Sequence, residues 1–225
     1  MSTTGGGRDA SHHTCDTKRG CLLVELDAVR PNRWEVRRSR TRQAITEAAF
    51  ATFVDGGYLE TSVEQLIARA GVSRSTFYAH FSNKLELLEA LAREHIEHRH
   101  ARFRSLTALP DLNEAAIQSW FDNLVCESLS NGKAVALFRL AVALDANIMQ
   151  QFGAARDDSA AILATRFPGF NVKAGQGRQR ACRRVAAHSF VIMIEQFSSG
   201  LADGSWPIGT EDTKFALVRM LRDQL

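Results

Sequence analysis

The stretch that decides the fold is TSVEQLIARAGVSRSTFYAHFSNKLELLEAL, residues 61–91. It opens with Thr61 and Glu64 at the spacing of a capping box, which predicts that a short helix begins there. Apolar residues recur at helical spacing until Ala70-Gly71, where the glycine favours a helix end. Ser73 has the side chain of an N-cap and predicts a second short helix. Two short helices joined by a glycine turn are typical of a helix-turn-helix unit.

The second helix of such a unit lies in the major groove of double-stranded DNA, with its N-terminal residues towards the base edges. Phe77 and Phe81 are four residues apart, so we expect both to face the protein core. The residues expected to face outward are Arg74, Ser75, Thr76 and Ala79, with Tyr78 at the edge. Because arginine can fork onto guanine and hydroxyl groups can bond to several base edges, this face is predicted to read sequence.

Other polar residues around the unit suit the phosphate backbone. Thr61 stands at a predicted helix N-terminus, where free N–H groups attract anions. Tyr78, His80 and Lys84 are expected to contact phosphates, which positions a protein on DNA without reading sequence. The arginines that lead into the first helix are placed to reach phosphates or the minor groove, and they include Arg37, Arg38, Arg40 and Arg42.

Composition and charge fit a globular protein whose positive charge lies in one region. Hydrophobic residues make up 45% of the chain and charged residues 24%, the usual globular balance. Residues 30–104 hold 13 basic and 9 acidic residues, whereas residues 105–225 hold 12 of each. A basic bias confined to one module suits a polyanionic partner.

The sequence also predicts where the protein works. No apolar run approaches the roughly 20 residues of a membrane span, and the N-terminus lacks the pattern of a secretory signal. The four cysteines, Cys15, Cys21, Cys126 and Cys182, are irregularly spaced. We therefore expect a cytoplasmic protein in a reducing compartment, with no disulfide framework and no membrane partner.

An all-α fold is expected, because almost no alternating strand pattern occurs. Residues 1–36, rich in glycine, serine, threonine and charge, are predicted to be a disordered arm. Residues 37–88 are predicted to form a three-helix DNA-binding module whose first helix ends at Gly56-Gly57. Residues 89–225 are predicted to form a larger helical body. Within that body, helices are expected over residues 134–151 and from about 153 to 166.

The run from about Arg42 to Leu88 resembles the DNA-binding module of the TetR family of bacterial transcriptional regulators. The resemblance is carried by Ala48-Ala49, Phe53, Gly57, Thr61, Ala70-Gly71-Val72-Ser73, Tyr78, Phe81 and Lys84. It implies DNA contacts by Arg74, Ser75, Thr76, Tyr78 and His80, with Thr61 and Lys84 on phosphates. Ala79 departs from the pattern, because the founding member of the family has a larger aromatic residue there. The resemblance further implies a repressor, acting at the bacterial nucleoid, that a small effector releases from a palindromic operator.

A TetR-like body implies a dimer interface and an effector pocket. Apolar residues occur all around the helix predicted over Val185 to Phe197, so this helix should be buried on more than one side. It could form a four-helix interface with the last helix, which carries Phe215, Val218, Leu221 and Leu225. The alternative is that both helices lie in the core of a monomer.

The candidate effector residues are aromatic and apolar side chains with a few polar groups, as in most small-molecule sites. They are Trp120, Phe121, Leu124, Phe138, Phe152, His188, Ile192 and Gln196. His188 and Gln196 are expected to orient the effector. Because we find no strong cationic cluster in the sequence of the body, we expect an apolar or aromatic effector rather than a phosphate or a carboxylate.

Two other classes of function remain open. His95 and His98, with Glu94 and His100 nearby, have a spacing that can bind a metal, but a solvated charged helix face is favoured. No nucleophile elbow or nucleotide-binding glycine motif occurs, so we predict no catalytic residue, cofactor or metal. The other alternative is a DNA-binding protein of the same fold without a small-molecule effector.

Overall fold

The structure, a computed structural model, describes residues 32–171 and 173–225. Over these residues it is helical and contains no strand, which confirms the expected all-α fold. The elements are α1 (Arg33–Gly56), α2 (Val63–Ala70), α3 (Arg74–Tyr78), α4 (Lys84–Thr107), α5 (Glu114–Ser130), α6 (Gly132–Leu144), α7 (Ala146–Ala164), a 3₁₀ turn (Pro168–Phe170), α8 (Gly177–Asp203) and α9 (Thr210–Arg222). None of the helices described is long and apolar enough to cross a lipid bilayer.

Helix α1 begins earlier than the sequence suggested. Asn32 caps it: its side chain accepts from Trp34 N–H, and Glu35 bonds back to the Asn32 N–H. Residues 33–36, assigned to the disordered arm, are therefore helical. The rest of that arm, including Cys15 and Cys21, lies outside the residues that the structure describes.

The capping box of α2 lies one residue later than expected. Ser62 is the N-cap and accepts from Gln65 N–H, while the Gln65 side chain accepts from Ser62 N–H at 2.7 Å. The prediction of Thr61 and Glu64 as the pair is wrong. Ser62 and Gln65 repeat the same pattern of residue types one position along, so local sequence alone does not choose between the two.

The single helix expected over residues 134–151 is also corrected. It is divided at Asp145, which ends α6 and caps α7 by accepting from Ile148 N–H at 2.9 Å. Helix α7 then continues through Gly153, where a second break had been expected. A cap-forming aspartate thus interrupts a run of good helix formers.

Two apolar clusters form the core, and α4 passes through both. The first cluster joins α1, α2 and α3 to the start of α4 and to α6 and α7, around residues such as Phe53, Phe77 and Leu88. The second joins the end of α4 to α5, α8 and α9, around Phe103 and Phe190 among others. Helix α4 is therefore the rigid link between the helix-turn-helix unit and the body.

Candidate nucleic-acid interface and effector cavity

The turn between α2 and α3 sets the angle of the second helix. Gly71 ends α2 in the left-handed region, at φ 65°, and its N–H donates to the carbonyls of Ile67 and Ala68. An added Cβ would meet nothing within 4 Å, so glycine is required by backbone conformation rather than by space. Ser73 then caps α3 by accepting from Thr76 N–H, which confirms the expected cap.

Packing of α3 fixes which of its faces is free. Phe77 and Phe81 are 0% and 1% exposed in the first core cluster, as expected. Arg74, Ser75 and Tyr78 are exposed on the other side. The outward side of α3 is therefore a polar, arginine-bearing surface that a major groove can receive.

The side chains at the start of α3 are connected to one another. Ser73 Oγ lies 2.9 Å from Ser75 Oγ and 2.8 Å from Thr76 Oγ1. Arg74 Nη1 lies 3.2 Å from Glu64 Oε1, with both side chains about two-thirds exposed, and its guanidinium lies 5.6 Å from the centre of the Tyr78 ring. An exposed ion pair of this kind contributes little stability, so Arg74 can leave Glu64 for a base or a phosphate.

Lys84 has a different position from the one expected of a phosphate ligand. Its ammonium donates to the carbonyl oxygens of Tyr58 at 2.6 Å and Thr61 at 2.9 Å, and it lies over the Tyr58 ring. Burial lowers the Lys84 pKa. A third, longer contact joins the ammonium to the Leu59 carbonyl at 3.5 Å. Because an ammonium has three donors and all its contacts here are to this loop, Lys84 mainly holds the loop between α1 and α2.

Two further predicted phosphate ligands are engaged within the protein. Thr61 is 5% exposed, and its hydroxyl donates to the Gly57 carbonyl at 2.6 Å. Arg42 Nη1 donates to the His80 carbonyl at 2.7 Å, and its guanidinium stacks 4.1 Å from the centre of the Phe81 ring. Arg42 thereby joins α1 to the end of α3. The sequence did not reveal these roles because they depend on tertiary contacts.

His80 sits just beyond α3 and is half-buried. Burial lowers its pKa, and the nearby charges of Arg38 and Arg42 lower it further. The imidazole is therefore neutral near pH 7 in the free protein. Arg38 is one of several exposed arginines on the first turns of α1, which also include Arg37 and Arg40.

The body contains a cavity of about 540 Å³, within the usual range for small-molecule sites. Its wall is built from α1 and from α4 to α8. The lining residues are Thr46, Glu47, Phe50, Leu91, Glu94, His95, His98, Arg99, Arg102, Glu127, Ser128, Asn131, Ala134, Val135, Phe138, Arg139, Val142, Phe152, Arg156, Ile194, Glu195, Gln196, Ser198 and Ser199. Helix α1 is the first helix of the predicted three-helix module and also lines the cavity. The cavity therefore borders that module directly.

Three of the eight predicted effector residues line this cavity, namely Phe138, Phe152 and Gln196. The other five lie elsewhere. Trp120, Phe121 and Leu124 pack in the second core cluster, His188 forms a surface pair with Asp157 at 2.7 Å, and Ile192 is 41% exposed. Large aromatic residues at helical spacing identify a buried face, but whether that face borders core or cavity depends on its neighbours.

The body brings Arg99 and Arg102 close to Arg156, each against a glutamate, and the chemical class of the effector stays a prediction. Arg99 is 7% exposed and donates through Nη1 to Glu195 at 2.5 Å, and Arg156 donates through Nε to the same carboxylate at 2.8 Å. Arg102 adds a two-bond pair with Glu127. The sequence signal was Glu195, a lone carboxylate in the apolar run of α8, because a buried charge requires a partner.

An aromatic stack lies beside these charges. The ring centroid of His95 is 4.1 Å from that of Phe138 and 6.0 Å from that of Phe152. Burial, with smaller contributions from nearby positive charges, Arg99 first, lowers the His95 pKa to about 4. His95 is therefore a neutral aromatic plate at physiological pH.

The arrangement of histidines also bears on the metal-binding alternative. His100 lies away from His95, buried with Nε2 3.1 Å from the Ala155 carbonyl. Among residues 32–171 and 173–225, no group of three or more His, Cys, Asp or Glu residues is placed to hold a metal ion.

The helix-turn-helix unit is similar in sequence to those of known proteins. Residues 45–91 match the family described as "Bacterial regulatory proteins, tetR family". The chain is 35% identical over 89 residues to the HTH-type transcriptional activator FasR of Mycolicibacterium smegmatis, covering 38% of this chain and 41% of FasR. It is 42% identical over 57 residues to the HTH-type transcriptional regulator SrpR of Pseudomonas putida, covering 24% of this chain and 27% of SrpR. The chain thus spans less than half the length of these curated relatives.

The likeness of fold extends further along the chain. Salmonella enterica GusR superposes with a TM-score of 0.61 at 19% identity, covering 81% of this chain and 96% of GusR. At that identity the match is one of fold, and it includes the helical body as well as the helix-turn-helix unit.

Proposed function

We propose that this chain is a sequence-specific transcriptional regulator, because residues 45–91 match the TetR family model and the fold is similar to that of GusR. It binds a palindromic operator as a homodimer and represses transcription in the bacterial cytoplasm, at the nucleoid. A small-molecule effector in the cavity releases it. The observation that carries the proposal is the continuity of α4, which leads from the helix-turn-helix unit into the wall of a cavity of about 540 Å³.

In this proposal α3 enters the major groove. Arg74 forks onto a guanine, Ser75 and Thr76 contact neighbouring base edges, and Tyr78 and His80 contact phosphates. Exposure of Arg74, Ser75 and Tyr78 supports these roles. Thr61, Lys84 and Arg42 have their side chains engaged, so we now assign them to positioning the unit rather than to direct phosphate contact.

The proposed dimer uses the outer face of α8 together with α9. Val185 and Ile192 lie two helical turns apart on α8 and are 65% and 41% exposed, and Met193 beside them is 37% exposed. Phe215 on α9 is 55% exposed. Apolar side chains grouped in this way favour an interface. A two-fold axis there would present two copies of α3 to half-sites about one DNA turn, roughly 34–36 Å, apart.

Effector action in this proposal runs through α1 and α4. Phe50 on α1 stacks on Phe138 with ring centroids 6.5 Å apart, and Thr46 and Glu47 also line the cavity. An effector that separates or tightens these contacts favours a different spacing of the two α3 helices. Linkage then requires that operator DNA lower the affinity for the effector by the same factor.

The experiment that tests this function is the selection of bound sequences from a pool of random duplexes. Recovery of a palindrome with half-sites about one turn apart is expected. Recovery of no motif would remove the regulator proposal and favour a DNA-binding protein of the same fold without sequence preference or effector.

A further inference from the structure

We propose that the cavity binds an aromatic carboxylic acid whose carboxylate is held by the free edge of Arg99. The inference rests on the proposed function only in taking this cavity as the effector site. It goes further by naming the chemical class of the effector, which we first expected to lack a charge.

The first observation is a buried arginine that is only partly paired. Arg99 is 7% exposed, and only its Nη1 contacts Glu195. Its Nε and Nη2 are buried and have no hydrogen-bond partner among the residues that the structure describes. Buried charged donors without partners are unfavourable, and an oxyanion would satisfy both once the Arg99 side chain turns this edge towards the cavity that it lines.

The second observation is the geometry of those two donors. Nε–H and Nη2–H lie on the same edge of a guanidinium and match the two oxygens of a carboxylate. Arg102, also in the cavity wall, uses this same edge for Glu127, at 3.2 Å from Nε and 2.7 Å from Nη2. The free edge of Arg99 therefore has the form of a carboxylate receptor that this protein already uses once.

The third observation is the local charge. Arg99 and Arg156 share the single carboxylate of Glu195, which leaves one positive charge without a counterion at this end of the cavity. Ser198 lines the cavity one turn further along α8, and its hydroxyl is also buried with no partner among the described residues. Glu47 and Glu94 also line the cavity, but the charges that act on Arg99 are those of Glu195, Arg156 and Arg102.

The fourth observation concerns the aromatic ring of the proposed ligand. The Arg99 guanidinium lies 5.6 Å from the centre of the Phe152 ring, and Phe152 stacks on His95 and through it on Phe138. An acid whose carboxylate reaches Arg99 would place its ring against these side chains. The cavity of about 540 Å³ accommodates one or two fused rings.

The test compares acids with their neutral counterparts. Benzoate, 2-naphthoate and 4-phenylbutyrate are each paired with the matching primary amide, and phenylphosphonate distinguishes a planar carboxylate from a tetrahedral anion. Binding to the full chain is measured by thermal shift and calorimetry, since a ligand that binds the native state raises Tm. We expect at least one acid to bind at least about tenfold more tightly than its amide.

Variants assign the effect to Arg99. Arg99→Gln should abolish the preference of the protein for acid over amide, and Arg99→Lys, which keeps the charge but loses the fork, should lose most of it. Arg93→Gln is the matched control, because Arg93 is an exposed arginine on α4 outside the cavity wall. Circular dichroism checks that each variant is folded. If Arg99→Gln does not fold, Arg99→Lys alone tests the role of Arg99.

Three results would overturn the inference: equal binding of acid and amide, an unchanged preference in both folded Arg99 variants, or no binding of any acid at millimolar concentration. Its failure is distinct from that of the proposed function. Release of selected operator DNA by a neutral aromatic compound would keep the function and reject the carboxylate. Binding of an acid without any effect on DNA affinity would keep the carboxylate site and reject the regulatory role.

Discussion

The ammonium nitrogen of Lys84 lies 2.6 Å from the carbonyl oxygen of Tyr58, so the first residue of α4 is tied to the loop that follows α1. This bond closes the helix-turn-helix unit at its base. It also links the start of α4 to the residues that precede α2.

Removing this tether should destabilise the module. Lys84→Met leaves the carbonyls of Tyr58 and Thr61 without their donor, at a cost of about 1–3 kcal/mol in the free energy of unfolding. Urea denaturation followed by circular dichroism measures it. Lys133→Met, at an exposed lysine on α6, is the control and should change stability by less than about 0.5 kcal/mol. If the two variants are equally stable, Lys84 does not hold the loop, and its predicted role as a phosphate ligand is favoured instead.

We expect Arg74 to recognise a base pair in each half-site of the operator. Arg74→Ala should weaken operator binding by about 1–3 kcal/mol and relax preference at one base pair in each half-site. Fluorescence anisotropy on operator and scrambled duplexes measures both effects. Equal losses on the two duplexes would make Arg74 a phosphate contact and sink its role as a reader of bases.

Removing the charge of Glu64, the partner of Arg74, should have the opposite effect on DNA affinity. Glu64 holds Arg74 at 3.2 Å in the free protein and places a negative charge beside the residue proposed to read DNA. Glu64→Gln should therefore strengthen binding to all duplexes by a few-fold, most at low salt where exposed charges are least screened. Glu211→Gln, at an exposed acid on α9, is the control. Weaker binding by Glu64→Gln would show that the pair positions Arg74 instead of competing with DNA.

His95 should make stability depend on pH. Its pKa is about 4 in the folded protein and about 6.5 when unfolded. The unfolded chain therefore gains the proton first, and stability falls as pH drops from about 6.5 to 4, by up to roughly 3 kcal/mol. His95→Phe, which keeps a ring against Phe138, should lose less stability over this range than the wild type. Parallel pH profiles of unfolding free energy for the two proteins would refute the assignment.

Introducing a charged side chain into the proposed dimer interface tests its position. Ile192→Glu places a carboxylate in the apolar face of α8 and should raise the dimer dissociation constant at least about tenfold, measured by sedimentation velocity. Met149→Glu changes an exposed apolar residue on α7 (53%, against 41% for Ile192) and should leave the dimer intact. If Met149→Glu dissociates the dimer and Ile192→Glu does not, the interface lies elsewhere.

Local sequence predicted the elements of the DNA-binding unit well, because its signals are short-range. Gly71, Ser73 and the spacing of Phe77 and Phe81 fix a turn, a cap and a buried face within eleven residues. The errors in that unit concern helix starts: α1 begins four residues earlier than expected, and the cap of α2 is shifted by one residue to Ser62, where adjacent residues are equally suited to capping. What local sequence did not reveal is that Lys84 and Arg42 bind carbonyls far away in the chain.

The cavity was harder to predict because it is a property of packing between helices. His95, Arg99 and Arg102 follow the spacing of one face of α4, whereas the sequence around His95 and His98 favours a charged, solvated helix face. Only the tertiary structure places Glu195 against Arg99 and shows that the face lines a cavity. A lone glutamate in an apolar helix is the sequence feature that would have indicated a buried ion pair.

The central claim is tested most directly by equilibrium binding of the wild type to its selected duplex and to a scrambled duplex at two salt concentrations. We predict an affinity ratio of at least about 10³ that persists at the higher salt, because base contacts add to the electrostatic attraction. Equal affinities for the two duplexes, both lost at the higher salt, would mean non-specific attachment and would contradict the account.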